Sequence, residues 1–182
     1  MGFSISRIFE SFTSEKEARI LMLGLDAAGK STIVHKMKFN ESVSTIPTIG
    51  FNVDTIKFGK LSFNIWDIGG QGQLRVLWKH YFPNTDGLIY IVDSADTSRI
   101  EESKQELFRL LEDEDLRGIP VLVFANKLDL GINSVNSVAD KMGLRDIKGR
   151  EWHIQGASAL LGNGLYEGFD WLAKTLKKAP KR

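Results

Sequence analysis

A chain of 182 residues with 42% hydrophobic and 26% charged side chains has the size and composition of one globular domain, which excludes disorder, collagen and coiled coil. With 24 Lys and Arg against 23 Asp and Glu, its net charge is +1, which leaves no broad basic footprint and no expectation of nucleic-acid binding. The absence of cysteine removes disulfides, cysteine-based metal sites, cysteine nucleophiles, prenylation and palmitoylation.

Two segments divide the chain by composition, an appendage over residues 1–17 and a domain over 18–182. Met1-Gly2-Phe3-Ser4-Ile5-Ser6 matches the myristoylation pattern, with Gly2 as the acceptor. At 100° per residue, Ile5, Ile8, Phe9 and Phe12 share one arc of a helix, a membrane-facing or core-packing stripe. The first dozen residues lack the continuous apolar stretch of a secretory signal. The longest apolar runs, 88–92 and 121–125, are far shorter than the ~20 residues of a membrane span. The expectation is a cytoplasmic protein. Beyond the appendage, strand-like runs alternate with helical periodicity, the pattern of a mostly parallel α/β sheet covered on both faces. Strands are predicted over 19–23, 52–58, 61–66, 88–93, 121–125 and 152–157. Residues 52–58 and 61–66 join through the tight turn Gly59-Lys60. Helices are predicted over 30–39, 100–111, 135–142 and 165–176.

Gly24-Leu25-Asp26-Ala27-Ala28-Gly29-Lys30-Ser31 fits the phosphate-loop pattern G-x-x-x-x-G-K-[ST] between a predicted strand and helix. Amides of the loop and of the helix N-terminus favour phosphate there. Lys30 supplies charge to the β- and γ-phosphates and the Ser31 hydroxyl a hard oxygen for Mg²⁺. Asp26 is out of place beside phosphates and is expected to point outward. Asn126-Lys127-Leu128-Asp129 follows another strand, at the carboxyl edge where such sheets bind ligands. The Asp129 carboxylate matches the N1–H and N2–H₂ donors of guanine, a pair adenine lacks. The Lys127 stem can lie over the base, Asn126 can tie the loops together, and Ser158-Ala159 is expected to offer a backbone amide to guanine O6. Asp67-Ile68-Gly69-Gly70-Gln71 ends the hairpin. Asp67 and Thr48 are candidate Mg²⁺ partners, Gly70 can bring its amide to a γ-phosphate, and Gln71 can orient a water. The short stretch between Ser31 and Thr48 holds no arginine and no room for an inserted domain. Slow unaided hydrolysis is therefore expected, with a partner supplying the missing charge.

These motifs together resemble the ADP-ribosylation factor (Arf and Arf-like) family of small GTPases. The resemblance runs through Gly24–Thr32 as G-L-D-A-A-G-K-S-T, Pro47–Asn52 as P-T-I-G-F-N, Trp66–Gln71 as W-D-I-G-G-Q, Asn126–Asp129, and Gly164–Trp171 as G-L-Y-E-G-F-D-W. It implies a six-stranded P-loop GTPase fold and a nucleotide site of residues Asp26, Ala27, Ala28, Gly29, Lys30, Ser31, Thr32, Thr48, Gly70, Asn126, Lys127, Asp129, Ser158 and Ala159. It implies catalysis by Gln71, Lys30 and Gly70, and Mg²⁺ at Ser31, Thr48 and Asp67. It implies a GDP/GTP switch cycling between cytoplasm and Golgi-type membranes in vesicle traffic. Exchange factors, GTPase-activating proteins and coat or tether effectors are the implied partners, with effectors reading an aromatic trio of Phe51, Trp66 and Tyr81. The hairpin is expected to move into the groove of the N-terminal helix when GTP binds. Leu128 stands where glutamine is usual, Leu160 where a polar residue is typical, Ser31 where threonine is common, and Gly72-Gln73 where Arf proteins carry charge. An Arf-like member acting in another membrane or cytoskeletal pathway therefore stays open. So do a P-loop ATPase or nucleotide kinase, against which Asn126–Asp129 argues, and a nucleotide-locked binding module, against which Lys30, Thr48 and Gln71 argue.

Overall fold

The computed structural model describes residues 16–39 and 50–179. Gly2, the apolar stripe of the appendage and Thr48 lie outside these residues. Six strands form one sheet in the order β2-β3-β1-β4-β5-β6: β1 (Lys16–Gly24), β2 (Phe51–Phe58), β3 (Leu61–Ile68), β4 (Gly87–Asp93), β5 (Val121–Asn126) and β6 (Trp152–Gly156). Only β2 runs antiparallel, folded back on β3 through Gly59-Lys60; the other pairings are parallel. The helices are α1 (Lys30–Phe39), α2 (Ile100–Leu111), α3 (Val135–Lys141) and α4 (Leu165–Lys178). Strand β1 begins at Lys16, whose amide donates to Lys60 O at 3.1 Å, so Lys16 and Glu17 belong to the sheet rather than to the appendage. A 3₁₀ helix over Arg75–Tyr81 is the one seven-residue element the sequence did not foretell. Its side chains carry neither helical nor strand periodicity, and it is held by contacts to other elements.

The central strands β1, β4 and β5 are buried on both faces, hence their unbroken Ile, Leu and Val runs. Alternation along each strand sorts these residues into two cores. Ile20, Met22, Ile89, Ile91, Leu122 and Phe124 pack with Ile33 of α1 and Phe169 and Leu172 of α4. Leu21, Leu23, Leu88, Tyr90, Val121 and Val123 face α2, α3 and the buried Trp78. Among the described residues no helix is long and apolar enough to cross a membrane. After β1 the chain turns to one side for β2 and β3, then returns to the other side for β4. The carboxyl ends of β1 and its neighbours thus flank a topological switch point, where open α/β sheets take ligands.

Phe169 lies fully buried against Phe63 and Phe124, with ring centroids 5.7 and 5.9 Å away. Phe169→Ala should destabilise the fold by about 3–5 kcal/mol. Urea denaturation checks this, and a lowered midpoint at unchanged slope is the expected result.

Candidate nucleotide site

Five strand ends converge on one edge of the sheet. Gly24 closes β1 and opens the phosphate loop, which runs into α1 at Lys30. Ala27 adopts φ 61° and Gly29 φ 99°. At Gly29 a Cβ would overlap the Asn126 carboxamide, so only glycine brings the loop this close to β5. Lys30 is 6% exposed, and its ammonium donates to Gly24 O at 3.0 Å and Leu25 O at 2.8 Å. Burial pulls the Lys30 pKa down to about 8, opposed by the nearby Asp67 and Asp26 carboxylates and reinforced by Arg75 and Arg99.

The end of β3 lies directly against this loop. Ser31 Oγ donates to Asp67 Oδ2 at 2.5 Å, and Asp67 is 2% exposed. These two hard oxygens, one neutral and one anionic, suit Mg²⁺, which keeps several waters and takes the rest from phosphate. Among the described residues no three His, Asp or Glu side chains gather as a protein-only metal site. Gly70 O accepts from Asp26 N at 3.2 Å, and a Cβ on Gly70 would overlap Gly24 O and lie 2.6 Å from Asp26 N. The Arg75–Tyr81 helix fastens this turn from behind. Trp78 Nε1 donates to Gly69 O at 2.9 Å and Arg75 Nε to Gly70 O at 2.9 Å. Gln71 is exposed at the mouth.

On the other side, Asn126 bridges the loops. Its Nδ2 donates to Ala28 O at 2.8 Å and its Oδ1 accepts from Ala159 N at 2.9 Å, with the side chain 1% exposed. Lys127 turns the chain at φ 64° and pairs with Asp93 at 2.6 Å. Asp129 is exposed beyond it. The pair Ser158-Ala159, expected to offer a backbone amide to guanine O6, has both its amides bonded within the protein: Ala159 N to Asn126 and Ser158 N to Asn163 O at 3.0 Å. The reason is local. The loop after β6 closes on its own bridge to Asn163 and is tied to β5 by Asn126. Thr32 sits half-buried on the first turn of α1.

Asp26 also gains an account. Arg99 Nη1 donates to its Oδ1 at 3.0 Å and Arg99 Nη2 to its carbonyl at 3.3 Å, with Arg75 3.8 Å from the same carboxylate. Arg75 is 9% exposed and pairs with Glu102 at 2.6 Å and Glu106 at 3.5 Å. Both arginines escaped the sequence reading, because each reaches Asp26 from more than twenty residues away and neither belongs to a spaced motif. On the outer surface of β3, Phe51 stacks on Trp66 at 5.3 Å and meets Tyr81 at 5.2 Å. Arg19 completes the group from beneath. Its guanidinium lies 4.0 Å from the Trp66 ring centre and donates to Tyr81 O at 3.0 Å, and burial lowers its pKa.

A strand–loop–helix phosphate cradle at the switch point, with a guanine-matched loop two strands away, defines the class as a P-loop guanine-nucleotide-binding domain. The model of the ADP-ribosylation factor family matches residues 5–176. Among solved structures, the Arl6 (BBS3) small GTPase of Trypanosoma brucei, determined with the nucleotide analogue GppNp, superposes with a TM-score of 0.83 at 32% identity. That match covers 91% of this chain and 100% of the other. The chain belongs to the ADP-ribosylation factor family and is a GTPase, converting GTP to GDP and phosphate.

Phosphates bound beside Lys30 favour its charged form and raise its pKa again, so binding takes up a proton wherever the free site has lost one. Guanine-nucleotide affinity should therefore fall as pH rises above about 8. Calorimetric titration of GDP in two buffers of different ionisation enthalpy checks this. Proton uptake near pH 8.5, shrinking toward about pH 7, is the expected outcome.

Proposed function

We propose that this GTPase is a molecular switch that recruits effectors to membranes in vesicle traffic. The observation that carries the switch is the position of Gly70: its backbone lies on the phosphate loop, at the end of the strand that bears Trp66. A third phosphate entering there must meet Gly70, and any shift of β3 moves the aromatic surface with it. In this reading Asp26 to Thr32 cradle the phosphates, Asn126, Lys127 and Asp129 hold guanine, and Ser158-Ala159 shape the loop around it. Ser31, Asp67 and Thr48 would hold Mg²⁺, which when bound neutralises charge on the phosphate oxygens. In hydrolysis Gln71 orients a water in line with the γ-phosphorus; the water oxygen bonds to that phosphorus as its bond to the β–γ bridging oxygen breaks, the water gives up a proton, and GDP and inorganic phosphate leave. Lys30 and the Gly70 amide stabilise the charge that develops.

Paired arginines support the reading that hydrolysis depends on an activator. The two guanidinium groups nearest the loop, Arg75 and Arg99, are both bonded to carboxylates. Neither is at hand as an arginine finger, a group worth roughly 10³–10⁵ in rate. A GTPase-activating protein would bring one. Exchange factors would load GTP, coat or tether proteins would read Phe51, Trp66 and Tyr81, and a myristoyl group on Gly2 with the stripe Ile5, Ile8, Phe9 and Phe12 would anchor the active form. A single acyl chain binds membranes only marginally, so the stripe is the necessary second signal. Golgi-type membranes are the proposed site. The second reading, an Arf-like protein of another membrane or cytoskeletal pathway, draws support from the likeness to Arl6 and from Leu128 and Leu160.

Two measurements test this. Asp129→Asn should lower GTP affinity by about 10²-fold and raise that for xanthosine triphosphate, because the amide donates where the carboxylate accepted; unchanged GTP selectivity would place the base elsewhere. Exchange of GDP for a non-hydrolysable GTP analogue should be slow in the lipid-free, myristoylated full chain. Lipid vesicles or removal of residues 1–13 should accelerate it, since a segment that binds only the GDP form shifts the equilibrium by its differential affinity. Equal loading of truncated and full chains without lipid would reduce the appendage to an anchor.

A further inference from the structure

The carboxylate of Asp26 sits in the loop whose sequence pattern is built to attract phosphate. It lies at the end of that loop where the Gly70 turn meets it, since Asp26 N donates to Gly70 O, whereas the Asn126 bridge to Ala28 marks the opposite, base end. An anion here opposes the phosphate farthest from the base more than those nearer to it. What holds it is Arg99, in the 3₁₀ turn Thr97–Arg99 that leads into α2. Arg99 grips Asp26 at two atoms, Oδ1 at 3.0 Å and the main-chain oxygen at 3.3 Å. It is itself aimed by Asp96, whose Oδ2 accepts from Arg99 Nε at 2.7 Å, while Asp96 Oδ1 accepts from Ser98 Oγ at 2.7 Å. The Asp96 carboxyl is held below its ordinary range by those two side-chain hydrogen bonds, and the Arg99 guanidinium above its own by Asp96. A fork that grips a side chain and its own backbone fixes both the direction of the carboxylate and the position of the loop.

We propose that Arg99, aimed by Asp96, is a positioning residue of the phosphate loop that holds the Asp26 carboxylate off the γ-phosphate and so sets the preference between GTP and GDP. This deepens the switch reading and rests on it. Arg99 touches no substrate; it acts through Asp26. Without it the carboxylate is free to swing toward the third phosphate, which raises the cost of GTP and leaves GDP largely unaffected. Arg75, 3.8 Å from the same oxygen, is bound to Glu102 and Gly70 O and so cannot replace a two-point grip.

The test measures GTP-analogue and GDP affinities, with Mg²⁺, for the parent, Arg99→Ala, Asp96→Asn and the double variant Arg99→Ala/Asp26→Asn. The expected result is a fall of about 5-fold in the GTP:GDP affinity ratio for Arg99→Ala, set by an ion pair that is partly exposed. Asp96→Asn, at a half-buried position, should move the ratio the same way by a smaller factor. The fall should shrink as salt is raised, because the repulsion is screened. The double variant should recover the parent ratio, since no carboxylate remains to restrain. A parent-like ratio in both single variants, or an equal loss for both nucleotides that Asp26→Asn does not repair, overturns the inference alone. Failure of the parent to bind either nucleotide overturns the reading beneath it as well.

Discussion

The Asn126 carboxamide donates to the phosphate loop at Ala28 O and accepts from the loop after β6 at Ala159 N, fully buried at both ends. Everything else at the nucleotide edge is spaced from this bridge. Removing it would leave a buried carbonyl and a buried amide unpaired, at about 1–3 kcal/mol each. Gly29 is glycine because the same carboxamide occupies the space of its Cβ. Ser94 extends the anchor, with its amide and hydroxyl both donating to Asn126 O, at 2.9 and 2.6 Å. The phosphate half and the base half of the site therefore move as one body with the sheet.

The other end of the site is organised by the pleat of β3. Trp66 and Asp67 are neighbours on that strand and so point to opposite faces. Asp67 meets Ser31 on the nucleotide side, while Trp66 lies between Phe51, Tyr81 and the Arg19 guanidinium on the outer side. A displacement of the strand along its axis changes both faces together. The cation over Trp66 stiffens this surface, and because the Arg19 guanidinium also donates to Tyr81 O and its amide to Asp86 Oδ2, the trio is fastened to β1 and not only to itself.

Charge around the phosphate loop is arranged in closed pairs. Arg75 is nearly buried, a costly place for a cation unless its donors are satisfied, and Glu102, Glu106 and Gly70 O satisfy them. Lys127 is matched by Asp93, and Arg99 by Asp96 and Asp26. Lys30 differs: its ammonium donates to two carbonyls of its own loop, with the Asp67 and Asp26 carboxylates nearby. Its ammonium is desolvated, which is why its pKa falls.

Much of this protein was legible in its residues. The Ile, Leu and Val runs of β1, β4 and β5 announce strands buried on both faces, and α1 and α2 begin and end where the phosphate-loop lysine and the stripe at Ile100, Leu107, Leu110 and Leu111 place them. Local pattern is sufficient there, because a strand or an amphipathic helix is specified by residues a few positions apart. The family motifs were legible for the same reason: Gly24 to Ser31 and Asn126 to Asp129 are contiguous stretches of sequence. The tertiary structure alone decided the rest. The Arg75–Tyr81 helix has no periodic face of its own, and it exists because Trp78 and Arg75 reach Gly69 and Gly70. The amides of Ser158 and Ala159 are turned to Asn163 and Asn126 by a closure that no four-letter motif encodes. Asp26 is paired with Arg99, 73 residues away in the chain, which only the folded structure brings beside it. Pairings across such distances are set by the order of strands in the sheet, and that order is written in the packing of the whole chain rather than in any stretch of it.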